Sequence, residues 1–438
     1  MKKIIIAGAG HGGLTAAYNL ADKGYDITVI ECKQRDELGY DWHDLLDHSA
    51  FDDSGIPRPS EDMIRYGVPT GFTNPSSTVK LKIPFEYGSG YTMDRKVLLS
   101  YLVENAENKG VKFIFEAKVI CAITQGAKVT GIKYETKDGV TEEKCDLVID
   151  AAGMNSPVRE NLPAGCGIQN SLECRDVFYV YRVYFDNTTG EMNDPPYTIS
   201  LFHNNRPGID WIITEKDSVD ILVGKFGSSS KLTYSEIDEA IADYRKQYPF
   251  VGEKVLRGGS KGEIPLRRMF PVIVCDGYAA IGDSAGMTVP LNGSGIVLSM
   301  KAGKILADTI LEIGEKTFTK ERLWKYEYTY FQTLGKGLVI IDILKNFFTY
   351  VSGKQVDFFL EKEILTEKEL GMGDGQDYSV TPKKVLQVMS VSLPIANLLP
   401  VLIRNFKFAP FIGRIASQMP KEYDKEKVEK WVKKYNAL

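Results

Sequence analysis

The chain has 438 residues, a net charge of −4, and hydrophobic and charged fractions of 43% and 26%. That length exceeds one small core and predicts two or three globular domains, while the slightly acidic balance offers no footprint for nucleic acid. The six cysteines, none in a CxxC pair, read as scattered reduced thiols of an intracellular, cytoplasmic protein.

Residues 3–31 read as strand, glycine turn, helix and strand. "KIIIAGA" is a continuous apolar run of the kind buried in a parallel sheet. The apolar stretch of "MKKIIIAGAG" is too short for a signal peptide and ends in glycines with another use. "LTAAYNLADKG" carries apolar residues at helical spacing as far as Gly24, and "DITVIE" is a second strand ending in Glu31. Gly8, Gly10 and Gly13 form GxGxxG between strand and helix. In such a turn Gly8 makes the tight bend, Gly10 lets a phosphate approach, and Gly13 lets helix pack on strand, with the helix N-terminus facing the anion. Glu31 stands where a carboxylate can accept ribose hydroxyls, which favours FAD or NAD over NADP. The turn alone does not separate FAD from NAD.

Residues 35–92 turn polar and rich in Gly, Pro, Ser and Asp, as long loops with short elements. Within them "ELGYDWHDLLDHSAF" suggests a helical turn in which His43 faces Asp47 and Asp44 faces His48 at i,i+4. Solvated polar residues, a metal site, or a proton donor at His43 or His48 are the readings open here. "RKVLLSYLVENAENKG" (95–110) predicts an amphipathic helix. Alternating strands follow in "VKFIFEAKVICAIT" and "KVTGIKYET", then the apolar strand of "KCDLVIDAAG". Residues 172–262 carry strand patterns such as "VFYVYRVYF", "IDWIITEK" and "VDILVGKF", a second, antiparallel unit. "GYAAIGDSAGMTVPLNGSGIVLSMKAGKILADTIL" (277–311) returns to strand, loop and long helix. After about residue 335 the chain becomes very apolar in "LVIIDILKNFFTYV" and "VSLPIANLLPVLIRNFKFAPFIG". No apolar run reaches the ~18 residues of a spanning helix. Lys345, Arg404, Lys407 and Arg414, interspersed there, allow either a helical core or a peripheral membrane face.

Residues 282–296, "GDSAGMTVPLNGSGI", resemble the pattern GDAAGxxxPxxGxGI of FAD-dependent oxidoreductases with the para-hydroxybenzoate hydroxylase fold, and within these the geranylgeranyl reductase family. Ser284 replaces an alanine. The resemblance covers residues 1 to about 330 with gaps. It implies an α/β fold: a Rossmann-like FAD-binding domain (1–48, 93–160 and 263–335) interleaved with a β-rich substrate domain (49–92 and 161–262), and a C-terminal helical region (336–438). It implies FAD as cofactor, held at Gly8, Gly10, Gly13 and Glu31, by Arg95 on the phosphates, by the Val119 backbone on the adenine, and by Asp283, Pro290, Gly293, Gly295 and Ile296 at the ribitol and ring. A helix starting near Ser294 would aim N–H groups at the flavin, where negative charge gathers on reduction. Trp211 sits where the family has a tryptophan over the flavin, and also reads as sheet core. Ala152 stands where the family writes an acid, which argues against direct NAD(P)H use, and no second GxGxxG follows a strand. The expected activity is reduction of carbon–carbon double bonds in an apolar, isoprenoid or lipid substrate, with His43, His48 and Trp211 as catalytic candidates and a ferredoxin-like protein or reduced carrier as donor. A flavin monooxygenase and a flavin-dependent isomerase or cyclase are the alternatives. No metal is expected.

Overall fold

A computed structural model describes residues 1–82, 90–227, 230–348, 351–363, 366 and 413–438. The glycine turn opens a six-stranded sheet. Its order is β18 (Val274–Cys275), β19 (Tyr278–Ala280), β12 (Leu147–Asp150), β1 (Lys2–Ala7), β2 (Tyr25–Ile30) and β8 (Lys112–Ile114), parallel except for the β18–β19 pair. Ile4, Ile5, Ile6 and Ala7 are fully buried. Burial on both faces explains why β1 is continuously apolar rather than alternating.

Helix α1 (His11–Leu20) follows β1 and packs on α6 (Ile296–Ile313). The two approach so closely that a Cβ on Gly303 would lie 2.5 Å from Gly12 O, and one on Gly12 would lie 2.8 Å from Ser299 O. α3 (Arg95–Asn108) is the amphipathic helix expected at 95–110 and is capped by Asp94, which accepts from Lys96 N–H. An antiparallel sheet of β9 (Lys118–Gln125), β10 (Lys128–Thr136) and β11 (Gly139–Lys144) adjoins β12. A short α4 (Pro157–Glu160) packs on β9.

The second large sheet has seven strands in the order β17 (Val251–Pro265), β13 (Val177–Asn187), β16 (Ser218–Phe226), β15 (Ile209–Thr214), β14 (Tyr197–Leu201), β5 (Thr70–Thr73) and β6 (Lys80–Lys82). All pairs are antiparallel except β14–β5. One face is covered by α5 (Tyr234–Gln247) through Ile237, Ala240, Ile241 and Tyr244. The other carries Phe178, Val180, Tyr184, Leu222 and Phe226, packed against Trp42 and the Val356, Phe359 and Leu360 side chains of α9 (Gly353–Glu361).

Residues 43–47 are not helical. They form β3 (His43–Asp47), which pairs antiparallel with β7 (Gly90–Asp94), itself flanked by β4 (Arg65–Tyr66). The expected His43–Asp47 and Asp44–His48 helical pairs therefore do not form. Alternation instead turns Asp44 and the fully buried Leu46 to one side and His43, Leu45 and Asp47 to the other. A short α2 (Ala50–Ser54) follows and packs on α6.

The chain then runs through α7 (Lys320–Tyr330), a π-turn, α8 (Lys336–Phe348), α9 and α10 (Lys425–Asn436). Trp431 and Tyr435 of α10 pack edge-on against Phe331, at 5.5 and 5.9 Å between centroids. Lys345 is not on a lipid-facing surface: it is 1% exposed, donates to Leu266 O and pairs with Asp342 at 3.1 Å. Arg414 is exposed, whereas Arg404, Lys407 and most of 391–413 lie outside the described residues. Among the described residues no helix is long and apolar enough to cross a membrane.

Candidate functional site

The glycine turn is shaped by the strand beside it. Gly8 has φ +90°, and a Cβ there would meet Ala151 O at 2.6 Å, so both dihedral and space require glycine. A Cβ on Gly10 would lie 2.9 Å from the same carbonyl, and one on Gly13 would lie 2.7 Å from the Ala151 methyl and 2.9 Å from Ile6. Gly13 thus packs helix on strand as expected, while Gly10 answers to the end of β12 in addition to any phosphate. Glu31 folds back onto the turn: one oxygen accepts from Ala9 N–H (2.7 Å) and the other from Lys33 N–H (3.0 Å). Ala117 N–H donates to Glu31 O (2.9 Å), which sets Val119 two residues from this strand end, on an edge strand of its sheet.

Arg95, first residue of α3, does not stand free. Its Nε donates to Asp44 (2.7 Å) and its Nη2 to the other oxygen of that carboxylate, and its guanidinium lies over Tyr40 and Trp42 at 5.5 and 5.3 Å. Burial works against the Asp44 charge, but Arg95 holds the carboxyl below its usual range. Two N–H groups given to Asp44 leave both Nη1 hydrogens and one on Nη2 with which Arg95 can meet a phosphate. His11, first residue of α1, faces this pair. Burial and then Arg95 lower it to about 4, so it is neutral near pH 7.

Asp283 lies in the short turn after β19. Burial pushes it up to about 6 against the pull of Arg95, and among the described residues it has no ion pair. The loop that follows is closed by Gly293 N–H to Val289 O (2.9 Å) and Val289 N–H to Ser294 O (2.8 Å), with Pro290 buried at its turn. Gly293 (φ +75°) abuts Ile264 of β17, and a Cβ on Gly295 would lie 2.9 Å from Thr288 Cγ2 and 3.6 Å from Asp283 Oδ1. Ile296 then opens α6. Ser284, the departure from the alanine of the pattern, accepts from Gly153 N–H (2.9 Å) and donates to Asp150 (3.1 Å). Asp150 is fully buried and also accepts from Ser156 (2.6 Å) and Tyr278 (2.7 Å). Ser284 thereby ties the end of β12 to the Asp283 turn.

The structure brings Gly8, Gly10, Gly13, Glu31, Val119, Arg95, Asp283, Gly295 and Ile296 around adjoining helix starts. It sets His43 apart from them: the ring edge packs on Tyr184 (5.2 Å) and lines a pocket of about 370 Å³ with Asp62, Arg65, Thr92 and Asp94. His48 is exposed beyond β3, 6.0 Å from the Tyr91 ring. Trp211 lies in β15 between Ile199 and Leu222, with the Arg182 guanidinium 5.2 Å over its ring. Among the described residues no His/Cys/Asp/Glu group could hold a metal. Sequence reasoning passed over His11 and Asp150, and read Asp44 only as a helical partner of His48. Only His11 left a local signal, as a large polar residue inside a turn of small ones.

The residues fit a dinucleotide. α1 and α6 both begin at a glycine with no side-chain cap, so their first N–H groups need acceptors. Among the described residues His11 Nε2 is sealed from solvent without a partner, and the Asp283 carboxyl lies beside Gly295. These are donors for phosphates and an acceptor for hydroxyls. Residues 1–209 match the family described as FAD binding domain. The first 209 residues are thus similar to FAD binding domains, and the site's donors and acceptor suit that cofactor.

Over 380 residues the chain is 24% identical to the digeranylgeranylglycerophospholipid reductase of Sulfolobus acidocaldarius, covering 84% of this chain and 82% of that protein. It is 26% identical over 328 residues to digeranylgeranylglycerophospholipid reductase 1 of Methanopyrus kandleri, covering 74% and 84%. A geranylgeranyl bacteriochlorophyll reductase-like protein of Thermoplasma acidophilum shares the fold with TM-score 0.73 at 16% identity, over 91% of this chain and 99% of that one. A flavin-dependent brominase does so at 0.64 and 18%, over 89% and 98%. The resemblance to the geranylgeranyl reductase family therefore extends beyond the motifs to most of the chain.

Proposed function

We propose that the protein reduces carbon–carbon double bonds of an apolar, isoprenoid or lipid substrate. The observation that carries this reading is the match to reductases of a digeranylgeranyl lipid over more than four-fifths of both chains. FAD, when bound and reduced, would supply the hydride equivalent. The chain's own part is to hold the dinucleotide stretched between the α1 and α6 starts, and to offer an apolar wall beside the ring end. Gly293 touches Ile264 and Phe178, and from Phe178 the apolar face continues through Val180, Trp42 and Phe226 to α9. Trp211 lies on that face and is assigned here to the substrate side. With Ala152 at the acid position and a single GxGxxG, the electron donor is a ferredoxin-like protein or free reduced carrier rather than a nicotinamide held in a second domain.

The test is anaerobic reduction of the bound flavin, then reoxidation by polyprenyl lipids with mass spectrometry of the product. Two added hydrogens are expected. One added oxygen on admission of air would make the protein a monooxygenase, and an unchanged mass an isomerase or cyclase.

A further inference from the structure

His11 stands between Gly10 and Gly12, where the fold asks for small residues: the Cβ positions of Gly10, Gly12 and Gly13 are all occupied by neighbouring atoms. It is the one bulky side chain of the turn, and it opens α1 without capping it. Its Nε2 is out of reach of solvent and has no hydrogen-bond partner among the described residues. A buried polar nitrogen left unsatisfied is destabilising, so the position is poorly explained by packing alone.

The neighbouring charges narrow the choice of ligand atom. Asp44 and Arg95 face the ring as a neutral pair, with Asp44 already engaged by both Arg95 nitrogens. Neither residue supplies the acceptor. A neutral imidazole carries one N–H, and with Nε2 as the donor it complements an anionic oxygen. The α1 start beside it offers backbone N–H groups to the same kind of atom. Arg95, whose Nε edge is held by Asp44, is a second side-chain donor placed beside His11.

We propose that His11 is a pyrophosphate ligand of FAD, its Nε2–H donating to a phosphate oxygen beside the first turn of α1. The proposal rests on FAD lying in this glycine turn. It distinguishes two parts of the cofactor: the phosphates depend on His11 and the flavin ring does not.

The experiment dilutes the holoenzyme and follows flavin fluorescence on release, with ADP and riboflavin as competitors. His11→Ala is expected to weaken FAD and ADP about tenfold, the equivalent of about 1.4 kcal/mol, and to leave riboflavin within twofold. His11→Asn, which keeps an N–H donor, is expected to recover part of the loss, and it serves as the reporter should the alanine variant fold poorly. FAD and ADP affinities within twofold of the parent would overturn the proposal. So would an equal loss for riboflavin, which would make the imidazole a packing element. A parent protein that binds neither FAD nor ADP would remove the FAD reading itself, an outcome separate from the behaviour of the variants.

Discussion

Glu327 of α7 gives the sharpest stability prediction. It is fully buried, one oxygen accepts from Ile273 N–H (2.9 Å), and the other has no partner among the described residues. Burial raises its carboxyl to about 8. The folded protein therefore keeps this proton through neutral pH, while the unfolded chain releases it near the ordinary value of about 4.3. The stabilisation is complete below about pH 4.3 and is lost as pH rises to about 8, at ~1.4 kcal/mol per unit. Between pH 5 and pH 8 the loss is about 4 kcal/mol. Glu327→Gln mimics the protonated carboxyl and does not titrate. With an unfolding entropy of about 2.1 cal/mol/K per residue, about 0.9 kcal/mol/K for the chain, the variant should gain roughly 4 °C in Tm over the parent between pH 5 and pH 8. Circular dichroism melts of both proteins at half-unit pH steps, saturated with FAD, measure that difference. Parallel Tm profiles would refute the reasoning and mean that Glu327 is ionised in the folded state.

Asp44→Ala leaves the Arg95 guanidinium largely buried without its carboxylate. It should cost about 2–3 kcal/mol in a denaturant melt, whereas Asp44→Asn, which keeps one acceptor, should cost less. Gly10→Ala drives a methyl to 2.9 Å from Ala151 O, so purified protein should carry at most a tenth of the parent's flavin absorbance while remaining folded. His43→Ala and His48→Ala should reoxidise reduced flavin with polyprenyl substrate within twofold of the parent rate, because β3 directs Asp44, not either histidine, toward the turn. A tenfold slowing in one of them, with flavin retained, would reinstate it as the proton donor.

The glycine turn, Glu31 and the 282–296 stretch could be read in the sequence because each is a local device. A strand must end, a helix must start, and small residues must stand between them. The segment 42–48 misled for an equally local reason. Trp42, Leu45 and Leu46 have helical spacing, and a run so short does not by itself separate helix from strand. What decides it is β7, more than forty residues on, whose edge accepts β3. The Asp44–Arg95 pair, 51 residues apart, and the Ser284–Asp150 contact, 134 apart, depend on tertiary placement that spacing does not encode. Ser284 looked like a small departure from a pattern and proves to be a clasp. Lys345, read among candidates for a lipid surface, is committed to Asp342 three residues before it, on the same helix.

The contact between Gly12 and Gly303 has a consequence for cofactor binding. Two backbones meet there with no side chain between them, so the offset between the start of α1 and that of α6 has no compressible spacer. The protein holds a fixed gauge. Opening the gap by even one methyl, as in Gly303→Ala, would put the phosphate end and the ring end of a bound dinucleotide out of step with each other.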